Sequence, residues 1–132
     1  MSEENVEIIK RMTAAYNRGD WDAVLSYAAP DAKFDTSRDL NEWRGIYESR
    51  DDVKRVWEGF NGQWESWRIE IDEFVPIGEN VVVTRQTGYF RGRDGIKVTA
   101  HTSSVWTFRE GAVSAWVHHD EDGALKAAGL SE

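Results

Sequence analysis

The order of hydrophobic and polar positions predicts two helices at the start of the chain. Apolar residues recur there at spacings of three and four with charged residues between them, which is the pattern of an amphipathic helix. This stripe consists of Val6, Ile9, Met12 and Tyr16. Gly19 follows where a left-handed terminal residue is favoured. Asp20 can then cap a short second helix that ends before Pro30.

A short strand over 32–36 and a third helix are predicted next. Ser49 is the candidate N-cap of the third helix, which ends near Gly62. Its apolar stripe consists of Val53, Val56, Trp57 and Phe60. The intervening segment 37–48 has no clear periodicity, although it contains Trp43 and Tyr47.

From Ser66 onward the hydrophobic period changes to two, which predicts β-strands. Turn residues at 78–80, 92–95 and 110–111 divide this region into four strands joined by hairpins. A short terminal helix over 123–128 is stopped by Gly129. Helices followed by a meander of strands predict an α+β domain, with helices packed on one face of a curved antiparallel sheet.

Composition narrows the class of protein. The chain has 132 residues, a formal net charge of −8 and no cysteine, so we expect one domain over 1–132 without thiol chemistry. The negative charge disfavours nucleic acid and anionic membrane surfaces as partners. No apolar run approaches the roughly 20 residues of a membrane span, and the start is acidic, unlike a signal peptide. We therefore expect a cytoplasmic protein.

Four segments carry a family resemblance: 15–23 (AYNRGDWDA), 30–32 (PDA), 105–111 (VWTFREG) and the tail 124–130 (ALKAAGL). With this order of elements, the chain resembles the nuclear transport factor 2 superfamily, and within it the SnoaL-like branch. The resemblance implies a cone in which N-terminal helices pack on the concave face of the sheet around a deep apolar pocket. It also implies a small-molecule ligand and a homodimer. Relatives include ketosteroid isomerase, polyketide cyclases and epoxide hydrolases, so the fold alone does not assign a function.

The catalytic residues of ketosteroid isomerase transfer poorly to this chain. That enzyme uses an aspartate base with a tyrosine and a protonated aspartate as donors to the enolate. Local matching puts the tyrosine at Met12, the base at Thr36 or beside it at Asp35, and the protonated acid at Ser104. A methionine cannot donate to an enolate, so steroid isomerisation of that type is disfavoured.

His118 is the candidate catalytic residue that the SnoaL-like resemblance favours. Cyclases of this branch place an acid/base aspartate on the last strand, where strand alternation puts Trp116, His118 and Asp120 on one face. The resemblance implies that this face lines the pocket. His118 then occupies the place of the cyclase base and can accept a proton from carbon flanked by carbonyls. The alternative is a buried structural imidazole.

The remaining candidates belong to the pocket or its mouth. The predicted ligand-binding residues on helix and strands are Tyr16, Gln86, Thr102, Ser104, Trp116 and Asp120. Trp43 and Tyr47 are candidates for a lid. Asp35 is a second catalytic candidate, with loop capping as the alternative, and Asp120 can instead cap the last helix.

We expect no metal and no cofactor. His118 and His119 are adjacent on a strand and point to opposite sides, so they cannot chelate one ion without a bulge. The predicted dimer surface is the outward sheet face formed by Arg85, Thr87, Tyr89, His101, Ser103 and Val117. Two functions stay open: a cofactor-independent isomerase or cyclase acting on an apolar carbonyl or polyketide-like compound, and a non-catalytic binding or dimerisation domain. A purely structural domain would fill its pocket with its own tryptophans.

Overall fold

The computed structural model describes residues 2–38, 45–121 and 123–129. The helices in this part of the chain are α1 (Ser2–Asn17), α2 (Trp21–Leu25), α3 (Arg50–Gly62) and α4 (Gly123–Ala127). The strands are β1 (Ala28–Arg38), β2 (Ile46–Tyr47), β3 (Trp64–Ile77), β4 (Val81–Gly92), β5 (Lys97–Arg109) and β6 (Ala112–Asp120). The predicted α+β class is confirmed.

The six strands form one curved sheet in the order β2-β1-β6-β5-β4-β3. The strands from β3 to β6 follow one another as antiparallel hairpins, as predicted. The sheet is antiparallel, as predicted, except at one pair of strands, where β1 pairs with β6 in parallel. These two strands are separated by most of the chain, so no hairpin constrains their relative direction.

Capping residues begin the second and third helices as the sequence indicates. Asp20 accepts a hydrogen bond from the backbone N–H of Ala23, and Ser49 accepts one from Asp52. Gly19 has a φ of 71°, which fits its left-handed position after α1. Helix α2 ends earlier than predicted, at Leu25, and the following strand β1 is correspondingly longer.

The main hydrophobic core lies between α1, α2, α3 and one face of the sheet. Its buried members include Ile9, Met12, Val24, Trp57, Val82, Trp106 and Phe108. Because alternate residues of a strand face opposite sides, Val82 belongs to this core and Val83 to a second one. Helix α4 covers this second cluster, which therefore lies on the opposite face of the sheet from α1 to α3.

The outward face is less exposed than the sequence suggests. Ser103 is completely buried, and its Oγ accepts a hydrogen bond of 2.9 Å from the backbone N–H of Ala124 in α4. Thr87 is 4% exposed, and its hydroxyl lies 2.6 Å from Asp72. The prediction that Ser103 and Thr87 form a free dimer surface is wrong, because the chain covers them itself. None of the described helices is long and apolar enough to cross a membrane.

Candidate functional site

A cavity of about 420 Å³ lies between α1, α3 and the inner face of the sheet. Much of its wall is aromatic, from residues Tyr16, Phe34, Trp57, Phe60, Trp64, Phe90, Trp106 and Trp116. Among the described residues that line it, none carries a carboxylate, ammonium or guanidinium group. The cavity therefore suits a neutral, largely apolar molecule of modest size.

Ring contacts hold this aromatic wall in place. Trp106 and Trp116 stack with their ring centroids 4.1 Å apart, and Trp116 lies 4.7 Å from Phe34. The ring centroids of Trp64 on β3 and Phe90 on β4 lie 5.1 Å apart. These rings pack against one another and leave the space between helices and sheet open, whereas a purely structural domain would have filled it.

A chain of buried hydrogen bonds interrupts the apolar wall. Trp106 Nε1 donates to Thr84 Oγ1 at 2.9 Å, and the Thr84 hydroxyl donates to Gln86 Oε1 at 2.8 Å. Gln86 Nε2 then donates to Thr102 Oγ1 at 3.1 Å and to Ser104 Oγ at 2.9 Å. The side chain of Gln86 is therefore fully engaged.

This series of hydrogen bonds ends at the imidazole of His118 on β6. Ser104 and His118 are paired across β5 and β6, and Ser104 Oγ lies 3.2 Å from His118 Nδ1. His118 lines the cavity, whereas its neighbour His119 is buried on the other face, where a Cβ on Gly123 would meet its side chain at 2.9 Å. In the described part of the chain, no group of three or more histidine, aspartate or glutamate side chains could hold a metal ion.

Tyr16 approaches the cavity from α1. Its hydroxyl accepts a hydrogen bond of 2.8 Å from Asn61 Nδ2, and its ring makes edge contacts with Trp21 and Trp57. Burial raises the pKa of Tyr16 to about 12, although the hydrogen bond from Asn61 opposes this shift. Tyr16 therefore stays a neutral phenol around neutral pH.

The structure brings most of the predicted ligand-binding residues together. Tyr16, Gln86, Thr102, Trp116 and His118 all line the cavity. Ser104 is fully buried just behind the wall and reaches the cavity only through its hydrogen bonds to Gln86 and His118. Two positions matched to ketosteroid isomerase, Met12 and Thr36, also lie on the wall.

Other candidates lie elsewhere. Asp35 is off the cavity wall, and its Oδ1 accepts hydrogen bonds from the Ser37 backbone N–H and hydroxyl at 2.9 and 2.6 Å. This is the local capping arrangement that the sequence left as its alternative. Tyr47 packs against the main core, and Asp120 ends β6 away from the wall. Trp43 lies outside the described residues.

Two residues of the site were missed by sequence reasoning. Thr84 links Trp106 to Gln86, and its position two residues before Gln86 on one strand was the available signal. Asn61 holds the Tyr16 hydroxyl from α3, one turn after Trp57. Nothing in the sequence distinguishes Asn61 from a solvated helix residue, because its partner, Tyr16, lies 45 residues earlier in the chain.

Comparison with known proteins agrees with this architecture. Residues 9–116 match the SnoaL-like domain family, while no curated protein shows significant similarity. An NTF2-like protein of unknown function from Burkholderia pseudomallei K96243 is 21% identical, with a TM-score of 0.79 and 96% of each chain covered. TerC, co-crystallized with polyporic acid, is 20% identical, with a TM-score of 0.79 over 97% of this chain and 99% of that chain.

A candidate polyketide cyclase from Xanthomonas campestris pv. campestris is 18% identical, with a TM-score of 0.69 and 98% of each chain covered. At these identities the likeness is one of fold, and the neighbours' activities are not transferred by it. The family match, by contrast, extends over most of the chain, from α1 into β6. The chain belongs to the SnoaL-like domain family.

Proposed function

We propose that the chain binds a largely apolar carbonyl or polyketide-like compound in its cavity and acts on it by cofactor-independent acid/base catalysis, as an isomerase or cyclase does. The observation that carries this proposal is the placement of one imidazole, His118, on the wall of an otherwise apolar cavity. An imidazole exchanges protons near neutral pH, which is the property that acid/base catalysis requires.

The shape and polarity of the cavity support this substrate class. Aromatic rings supply contact for a flat or polycyclic body. The hydroxyl, amide and imidazole groups on the wall belong to Tyr16, Gln86, Thr102, Thr36 and His118, apart from the Thr13 hydroxyl, which donates to its own helix. The indole N–H groups of Trp64 and Trp116 are further donors, buried without a partner among the described residues. Because no charged side chain lies among the described lining residues, a neutral molecule fits better than an ionic one. The likeness to TerC and to the candidate polyketide cyclase favours the same kind of ligand.

Deuterium exchange tests the proposal without knowledge of the natural substrate. A ketone with exchangeable α-hydrogens, such as 2-decalone, is incubated with the protein in D2O, and loss of the α-proton signal is followed by NMR. We expect acceleration by the wild-type protein and a loss of roughly 100-fold or more in His118→Ala. His101→Ala is the matched control, because His101 is an exposed histidine on the outer face of the neighbouring strand. Equal exchange by wild type and His118→Ala would contradict catalysis at His118.

A second candidate function is non-catalytic binding of the same class of molecule. It is favoured by Met12 and Ser104, which local matching puts at the positions of a tyrosine and an acid of ketosteroid isomerase, since a pocket can persist after such residues have changed. Binding of 2-decalone without acceleration of exchange would support this second function.

We also propose that the chain forms a homodimer through the part of the outer sheet face that α4 leaves uncovered. Tyr89 on β4 is 37% exposed there, and Arg68 stacks over its ring. Arg85 on β4 and His101 on β5 are exposed on the same face. An exposed aromatic residue on a broad sheet face is commonly covered by a partner. The cytoplasmic location stays a proposal that rests on the sequence.

A further inference from the structure

The hydrogen-bond chain behind the cavity has a fixed direction, because it begins at a group that can only donate. The indole Nε1–H of Trp106 has no acceptor capacity, so Thr84 Oγ1 must be the acceptor in their 2.9 Å contact. Thr84 is completely buried and has no access to water. Its own proton is therefore directed to its other partner, Gln86, at 2.8 Å.

This requirement sets the orientation of the Gln86 amide. The atom that faces Thr84 must be the oxygen, which places the NH₂ group toward β5. Both protons of that group are used, one by Thr102 Oγ1 and one by Ser104 Oγ. The opposite orientation would leave the Thr84 hydroxyl without an acceptor in a buried site, at a substantial cost in free energy.

The direction of hydrogen-bond donation, from Trp106 outward, continues to His118. Ser104 is fully buried and accepts from Gln86, so its hydroxyl proton is directed to His118 Nδ1, 3.2 Å away. A neutral imidazole that accepts at Nδ1 carries its proton on Nε2. We infer that the hydrogen-bond chain from Trp106 to Ser104 holds neutral His118 as its Nε2–H tautomer, so that the cavity is built to recognise a hydrogen-bond-accepting oxygen of a neutral molecule, such as a ketone oxygen.

Two other groups on the wall are donors for the same reason. The Thr102 hydroxyl accepts from Gln86, and the Tyr16 hydroxyl accepts from Asn61, so each has its own proton to give to another acceptor. Tyr16 keeps that proton because burial raises its pKa to about 12. Both residues line the cavity with His118. A ligand oxygen that enters therefore meets donors.

This assignment rests on the proposed function and specifies how His118 takes part in it. The sequence suggests a base that removes a proton from carbon. In the Nε2–H tautomer the lone pair at Nδ1 already accepts from Ser104, so the imidazole acts at oxygen, as a hydrogen-bond donor that stabilises the enolate, and the α-proton passes to water. Any partner that Nε2 meets must be an acceptor.

The tautomer can be measured directly in the protein without ligand. Long-range ¹H–¹⁵N NMR separates protonated from unprotonated ring nitrogens, and the chain has three histidines, so His118→Phe identifies the His118 signals. At about pH 8, where an ordinary imidazole is neutral, we expect the proton on Nε2. Ser104→Ala removes the donor to Nδ1 and should give a mixture of tautomers. Ser103→Ala removes the adjacent buried hydroxyl on the other face and should leave the tautomer unchanged.

Ligand affinity tests whether the cavity prefers a molecule with a hydrogen-bond-accepting oxygen. Calorimetry compares 2-decalone with 2-methylenedecalin, in which CH₂ replaces the carbonyl oxygen. We expect the ketone to bind about five- to tenfold more tightly, and His118→Phe to reduce that preference. A proton on Nδ1 in the wild-type protein, or an unchanged tautomer in Ser104→Ala, would overturn the inference. Equal affinity for the two compounds, with the Nε2–H tautomer observed, would overturn the assignment of a ligand oxygen and leave the proposed function standing. Binding of neither compound would instead contradict the substrate class of the proposed function.

Discussion

Ser104 Oγ lies 3.2 Å from His118 Nδ1, directly across the β5–β6 pair. This contact connects a fully buried hydroxyl, positioned by Gln86, to the imidazole on the cavity wall. Ser104 does not line the cavity, so its effect on a ligand is exerted through His118. The polar groups that the sheet contributes to the site are thus held by hydrogen bonds between strands, which fixes their orientation before a ligand arrives.

Gln86→Leu should destabilise the protein by more than the loss of a single hydrogen bond does. Gln86 is 5% exposed and engages Thr84, Thr102 and Ser104, so a leucine of similar size leaves several buried polar groups without partners. We expect a loss of about 2 to 3 kcal/mol in the free energy of unfolding, measured by urea denaturation. Gln63→Leu, at an exposed position after α3, should change it by less than about 0.5 kcal/mol. Equal effects of the two variants would contradict the hydrogen-bond chain.

Tyr16 should make stability fall at alkaline pH. The pKa of Tyr16 is about 12 in the folded protein against an ordinary value of 10.0, so above pH 10 the unfolded chain loses a proton that the folded one keeps. The unfolded state is thereby favoured, and stability falls until the pH passes the folded pKa. Between about pH 9 and pH 11 the shifted pKa of Tyr16 lowers the free energy of unfolding by about 1 kcal/mol.

Urea denaturation of wild type and Tyr16→Phe at these two pH values isolates this contribution. All other titrating groups are shared, so the wild-type protein should lose more stability than Tyr16→Phe by that amount. Parallel losses in the two proteins would show that the Tyr16 pKa is not raised by folding.

Gly88→Ala should reduce the size of the cavity. A Cβ at this position would lie 2.6 Å from Phe90 Cε2 and 3.3 Å from Ile69 Cδ1, so the Phe90 ring must move. Phe90 lines the cavity and packs against Phe60 and Trp64. We expect weaker binding of 2-decalone and a loss of about 1 to 3 kcal/mol in stability from overpacking. Gly62→Ala is the control, because a Cβ there meets nothing within 4 Å. Unaltered affinity in Gly88→Ala would place the binding site elsewhere.

Tyr89→Lys should weaken the proposed homodimer. The new ammonium group would stand next to Arg68, which stacks on the Tyr89 ring in the wild-type protein, and would have to be desolvated in the interface. By sedimentation velocity at micromolar concentration, we expect the wild type to be a dimer and the variant to dissociate. Asn80→Lys, at an exposed turn, should behave as the wild type does. A monomeric wild type would contradict the dimer.

Local patterns in the sequence were sufficient to place much of the site. Strand alternation puts Gln86, Trp116 and His118 on inward faces, and the structure has all three on the cavity wall. Helical spacing likewise brings Tyr16 to the same side of α1 as Met12. These predictions need only the period of an element and the side on which its core lies.

Predictions that depended on distant parts of the chain were less reliable. The parallel pairing of β1 with β6 and the covering of Ser103 by α4 are contacts between residues far apart in sequence. Asn61, which holds the Tyr16 hydroxyl, is another such case. No periodicity encodes which partner a strand edge or a polar side chain will meet, because tertiary packing decides it.

A crystal structure of the protein with 2-decalone would show directly whether His118 binds the ligand oxygen. We expect the ketone inside the cavity, between the aromatic rings of α3 and the sheet, with its oxygen within roughly 3 Å of His118 Nε2. A ketone bound outside the cavity, or inside it with the oxygen directed away from His118, would show that His118 does not recognise that oxygen.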